Sequence, residues 1–133
     1  MSDLIMGSGE ISRHLIKSIN RKGSMVYVLN DPGFVESYSG HNTDVIYSFY
    51  TGSLMDDLQR AKIATVDRFI ACSENDNRNA MAAQIALRIF HVPWVICHIG
   101  NESKADIYKG MGINVVSSTA MVSDTVFLSL ENS

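Results

Sequence analysis

The chain has 133 residues, 46% of them hydrophobic and 19% charged, with a formal net charge of -3. That length supports one hydrophobic core and excludes several ordinary domains, and the mixed charge, with no long basic run, excludes nucleic acid as the default partner. No uninterrupted apolar stretch reaches bilayer length and no basic segment leads into an apolar one at the N-terminus, so a soluble cytoplasmic domain without direct membrane insertion is expected.

Short apolar runs alternate with longer amphipathic segments. The runs cover residues 3–6, 25–30 (MVYVLN), 44–50 (DVIYSFY), 66–73 (VDRFIACS), 94–99 (WVICHI) and, briefly, 114–116. Continuous runs rich in Val and Ile fit strands buried on both faces. Between them, residues 10–22 place Ile11, Leu15 and Ile19 on one helical face. Residues 32–40 read as a poor helix or a short turn. A helix over residues 53–63 starts at Ser53, and its Asp56-Asp57 pair reads as first-turn charge rather than a catalytic dyad. The longest helix spans residues 75–91, with Met81, Ala82, Ile85, Leu87 and Ile89 as its apolar positions, and Pro93 follows it. Residues 102–111 form the next helix, stopped by Gly112, and residues 119–131 the last. Trp94, at a strand entrance, reads as core packing, and Cys72 and Cys97 as buried thiols.

Strand alternating with helix predicts an α/β fold. It is expected to be doubly wound and Rossmann-like: a six-stranded, mostly parallel sheet with helices on both faces, residues 1–133 making one domain. The first strand runs into MGSGEIS, where Gly7 permits a tight turn and Gly9 lets the backbone approach a pyrophosphate at a helix N-terminus. Ser12 fills the third fingerprint position with a small side chain. A structural turn without ligand is the alternative. The acid expected at the end of the second strand falls on Asn30, followed by Asp31, within LNDPG, which is also a turn signal in its own right.

Taken together, MGSGEIS, the LMDDLQRAKI helix, ACSENDNRNAMAAQIA after the fourth strand, the Val92-Pro93 step and YKGMGINVVSS occur in an order and spacing that resemble one family. These are the KTN or RCK regulatory nucleotide-binding domains of Trk-type potassium transport systems. The resemblance implies a nucleotide over the strand C-termini, commonly NAD(H) and in some members ATP or ADP, with AMP a further candidate. Carried over by position, the contacts are Gly7, Ser8, Gly9, Glu10 and Ile11 in the turn, then Asn30 and Asp31. Thr51 and Gly52 follow after the third strand, Ser73 and Asn79 at the long helix, and His98 in the fifth strand. Four positions depart from the family: Ser12, Asn30, Tyr50-Thr51 where Gly-Asp is usual, and His98 where an arginine is frequent. A histidine in an apolar strand is otherwise most often a satisfied core residue.

The tail holds Ala120, Met121, Val122, Val126, Phe127, Leu128 and Leu130, and a helix this apolar needs burial beyond a single edge. In the family the corresponding helix crosses to a partner protomer, which implies a homo-oligomer, dimer or larger ring. The expected function is non-enzymatic: a cytoplasmic domain, binding NAD(H) or an adenine nucleotide, that controls a membrane potassium channel or transporter. Two alternatives stand beside it, a fragment of an NAD-dependent oxidoreductase and an oligomerisation module with a vestigial pocket.

Overall fold

The structure is a computed structural model that describes residues 1–31 and 44–132. The 32–40 segment lies outside the described residues. Among the described residues, six strands form one sheet: β1 (Ser2–Met6), β2 (Met25–Asn30), β3 (Val45–Phe49), β4 (Arg68–Ala71), β5 (Trp94–His98) and β6 (Val115–Val116). Their order is β3-β2-β1-β4-β5-β6, and every pairing is parallel. The chain winds outward from β1 to β3, then returns to β4 beside β1 and winds the other way. The winding therefore reverses between β1 and β4, which opens a crevice at their carboxyl ends.

Five helices are described: α1 (Glu10–Arg21), α2 (Leu54–Arg60), α3 (Asp76–Arg88), α4 (Glu102–Gly110) and α5 (Ser118–Glu131). Alternate residues of β1 serve two cores. Leu4 and Met6 pack with Leu58, Phe69 and the α3 alanines. Ile5 packs with Ile16, Val26 and Val28 beneath α1. Leu4, Ile5 and Met6 have no exposed surface, as a central parallel strand requires.

Some boundaries and packing roles differ from the sequence expectation, and helix α3 ends at Arg88 rather than residue 91. Helix α2 stops at Arg60 rather than residue 63 because Lys62 turns left-handed, at φ 76°. The Ile63 N–H bonds to Leu58 O at 3.1 Å and the Lys62 N–H to Gln59 O at 3.1 Å, a Schellman closure with lysine where glycine is common. The same closure at Gly112 ends α4, as its residue type implied. Helix α3 buries Asn79, Ala80, Ala82, Ala83 and Ala86, whereas Met81 and Ile89 are exposed. Small side chains let α3 approach the sheet closely, so its buried face is the alanine face rather than the larger apolar one. Trp94 is not core: it is 56% exposed, at the edge where β5 begins.

Candidate functional site

The turn between β1 and α1 is built tightly. Gly7 has φ 146°, and a Cβ placed on it would lie 2.6 Å from both Cys72 O and Ser12 Oγ. Its N–H bonds to Leu29 O at 3.0 Å, tying the turn to β2. Ser12 is fully buried and its hydroxyl lies 3.1 Å from Cys72 Sγ, so the third fingerprint position packs helix against strand. Gly9 is the N-cap of α1 and offers no side-chain acceptor to the first N–H groups. By contrast, α3, α4 and α5 are capped by Asn75, Asn101 and Ser117.

At the end of β2 the two candidate ribose contacts separate. Asn30 is fully buried; its Nδ2 donates to Gly7 O at 3.4 Å, and its Oδ1 is buried without a hydrogen-bond partner among the described residues. Asp31 is exposed and accepts from Ser8 Oγ at 3.1 Å. Thr51 and Gly52 sit in the exposed loop after β3. That loop is held by Asp57, which is buried and accepts from both the N–H and the hydroxyl of Thr51 and from Arg60. Burial alone raises the carboxyl pKa, but the Thr51 and Arg60 hydrogen bonds outweigh it and hold it below the usual carboxylate range. Asp57 is thus a buried loop anchor, more than first-turn charge.

Ser73 and Asn79 meet between β4 and α3. The Asn79 Oδ1 accepts from the Ser73 N–H at 2.9 Å and the Ser73 hydroxyl at 2.6 Å. Its Nδ2 donates to Ser73 O at 2.8 Å and His98 O at 2.9 Å. Beside it, Asp76 accepts from the Gly100 and Asn101 N–H groups, tying the β5–α4 loop to α3. Asn79 is wholly buried, so it pins two loops from below.

These elements enclose a cleft of about 230 Å³ at the point where the winding reverses, lined by Ser8, Asp31, Tyr50, Ser73, Glu74, Asn75 and Arg78. Ser8, Asp31 and Ser73 were legible in the sequence, and the structure brings them together. Gly7, Gly9 and Glu10 form the turn beside them. Tyr50, Glu74, Asn75 and Arg78 are additions. The Arg78 guanidinium lies 4.6 Å from the centroid of the Tyr50 ring. Burial pushes the Tyr50 hydroxyl up to about 12 against the pull of Arg78, so the phenol stays protonated. Arg78 had a signal in the sequence: a cation in the first turn of a helix opposes the dipole and needs a reason to be there.

Ile11 and His98 fall elsewhere. They line a separate, apolar groove of about 380 Å³ on the α1 face of the sheet, with Ile70, Ile96 and Val116. Among the described residues, both His98 ring nitrogens are buried without a hydrogen-bond partner, which differs from the satisfied core histidine expected from its strand. Burial raises the pKa of both cysteines, that of Cys97 to about 12, so both remain thiols near neutrality. Among the described residues, no three His, Cys, Asp or Glu side chains gather as a metal site.

Residues 4–119 match the family model of the TrkA-N domain. The chain belongs to the TrkA-N family. A relative described as Trk system potassium uptake protein TrkA, from Streptomyces coelicolor, is 30% identical over 129 residues, covering 93% of this chain and 56% of that protein. A TrkA homologue from Methanothermobacter thermautotrophicus is 24% identical over 115 residues, 86% of this chain and 53% of that protein. The chain therefore spans about half the length of the curated relatives it matches.

Solved structures share the TrkA-N fold at low identity. The TrkA-N domain of the Escherichia coli inner membrane protein ybaL matches with a TM-score of 0.84 at 14% identity, covering 97% of this chain and 96% of that one. The Kef C-terminal domain of Shewanella denitrificans, in its AMP-bound form, matches at 0.80 and 12%, covering 100% and 83%. GsuK bound to ADP matches at 0.80 and 17%, covering 98% and 34%; the GsuK channel bound to NAD matches at 0.68 and 19%, covering 86% and 21%. Among the described residues, no helix is long and apolar enough to cross a membrane.

Proposed function

We propose that this TrkA-N domain binds a nucleotide in the cleft above Gly7 and Gly9 and regulates a potassium channel or transporter from the cytoplasmic side, without catalysis of its own. The observation that carries this reading is the turn. Gly7 admits no side chain, Gly9 leaves the α1 N-terminus without a side-chain cap, and both lie where the sheet reverses its winding. The potassium-uptake relatives and the AMP-, ADP- and NAD-bound neighbours support it. NAD(H) is the leading ligand, with AMP, ADP and ATP as the alternatives. The pyrophosphate would lie on the turn, Asp31 would accept ribose hydroxyls, and Thr51, Gly52, Ser73 and Tyr50 would border the adenosine half. Calorimetric titration with NADH, NAD, AMP, ADP and ATP is expected to show one-site binding of at least one of them. Absence of heat with all five would sink the reading.

Regulation needs two arrangements that the ligand binds with different affinity. Helix α5 supplies the means. None of its residues is buried, and Met121, Val122, Val126, Phe127, Leu128 and Leu130 are each more than half exposed. The apolar groove beside α1 is open as well. Two copies exchanging α5 would cover both surfaces, so the assembled unit is a dimer or a larger ring of dimers. Sedimentation is expected to find a dimer for the intact chain. Phe127→Asp should weaken association by about a hundredfold or more, since it charges a large apolar contact, while far-ultraviolet circular dichroism stays unchanged. An intact chain that remains monomeric at high concentration rules the exchange out.

A further inference from the structure

We infer that Glu74 is a charge gate on the cleft, selecting against ligands rich in phosphate. This rests on the nucleotide reading above and adds which nucleotides the site prefers. A Cβ on Gly9 would lie 3.1 Å from Glu74 Oε1 and 3.6 Å from its Cγ, so the Glu74 side chain is folded over the glycine turn. That is the backbone a phosphate must approach.

The position follows from its neighbours. Ser73 is clamped by Asn79, and Asn75 caps α3 by accepting from the Arg78 N–H at 2.9 Å. The backbone of Glu74 is therefore fixed between two anchored residues, and its side chain reaches across to the turn. Among the described residues, no hydrogen bond holds the carboxylate there, so it can swing aside, but its charge stays at the mouth. Asp31 stands on another wall of the same cleft. The described lining thus sets two carboxylates against one guanidinium, Arg78, which is already engaged with the Tyr50 ring. The α1 N-terminus and Arg78 can offset a monophosphate or the diester phosphates of a dinucleotide. Every additional phosphate charge meets Glu74 at short range, where repulsion between like charges is only partly screened.

The test is calorimetric titration of the full chain, in EDTA so that no divalent ion bridges the carboxylates, with AMP, NADH, ADP and ATP. Three proteins are compared: wild type, Glu74→Gln, and Asp106→Asn, which removes an exposed charge on α4. Glu74→Gln is expected to tighten ATP by about tenfold, ADP by about fivefold, and AMP and NADH by about twofold or less, with the gradient shrinking as salt rises. Asp106→Asn should leave every affinity within about twofold. A uniform loss across all ligands makes Glu74 a ribose acceptor and overturns the gate, as does an unchanged or uniform gain. Binding without the gradient removes the gate alone, whereas no binding by any of the three proteins removes the nucleotide reading with it.

Discussion

Asn79→Ala is expected to destabilise the domain by about 3 kcal/mol, because truncation leaves several buried polar groups without partners. The side chain has no exposed surface and makes four hydrogen bonds, two to the N–H and hydroxyl of Ser73 and two to the carbonyls of Ser73 and His98. No other described side chain spans the ends of β4 and β5 in this way. Asn79→Asp keeps the acceptor for Ser73 but removes both donors and buries a charge, so it should cost at least as much. Urea unfolding read by fluorescence and by circular dichroism checks this. A loss under about 1 kcal/mol would mean that water or a shifted loop replaces those bonds and that Asn79 is no pin. The residue entered as a ligand contact; its geometry points to a more indirect role, holding Ser73 and the cleft wall in place.

Gly7→Ala should be the more damaging change for binding. The added methyl would stand 2.6 Å from a backbone oxygen, Cys72 O, and 2.6 Å from Ser12 Oγ, at a φ of 146°. Backbone strain and overpacking together make a stability loss of about 3 kcal/mol the expected result. Nucleotide affinity should fall by more than about tenfold, since the turn must shift under the phosphate. The double variant Gly7→Ala/Ser12→Gly relieves the side-chain clash and leaves the backbone one, so it should recover little. Full recovery would show that the turn is malleable and that Cys72 O is not the obstacle. Unchanged nucleotide affinity in Gly7→Ala would count against the turn as the phosphate site.

Much of the fold was legible because its signals are local. Alternating apolar runs and amphipathic segments encode a parallel sheet with crossover helices, and MGSGEIS marks the first turn by residue type alone. The misplaced packing roles share one cause. Periodicity records that a residue is apolar, not which face has a neighbour, so Met81, Ile89 and Trp94 stand at packing positions in the pattern although each is more than half exposed. Helix α3 shows the converse: its alanines carry little hydrophobic weight in a pattern, yet they form its contact face.

For the cleft, the division is between chain distance and space. The sequence by itself determined the strand–helix alternation, the glycine turn, the Gly112 stop and the apolar tail, all set by conformational preference or composition within a few residues. Only the tertiary structure decided how the candidate residues are arranged around the cleft. It turned Asn30 and Asn79 inward as supports and sent Ile11 and His98 to a groove on the α1 face. It also set Arg78 on Tyr50 and laid Glu74 over Gly9. Those pairs are brought together by strand register and winding order, and such contacts leave no periodic trace along the chain.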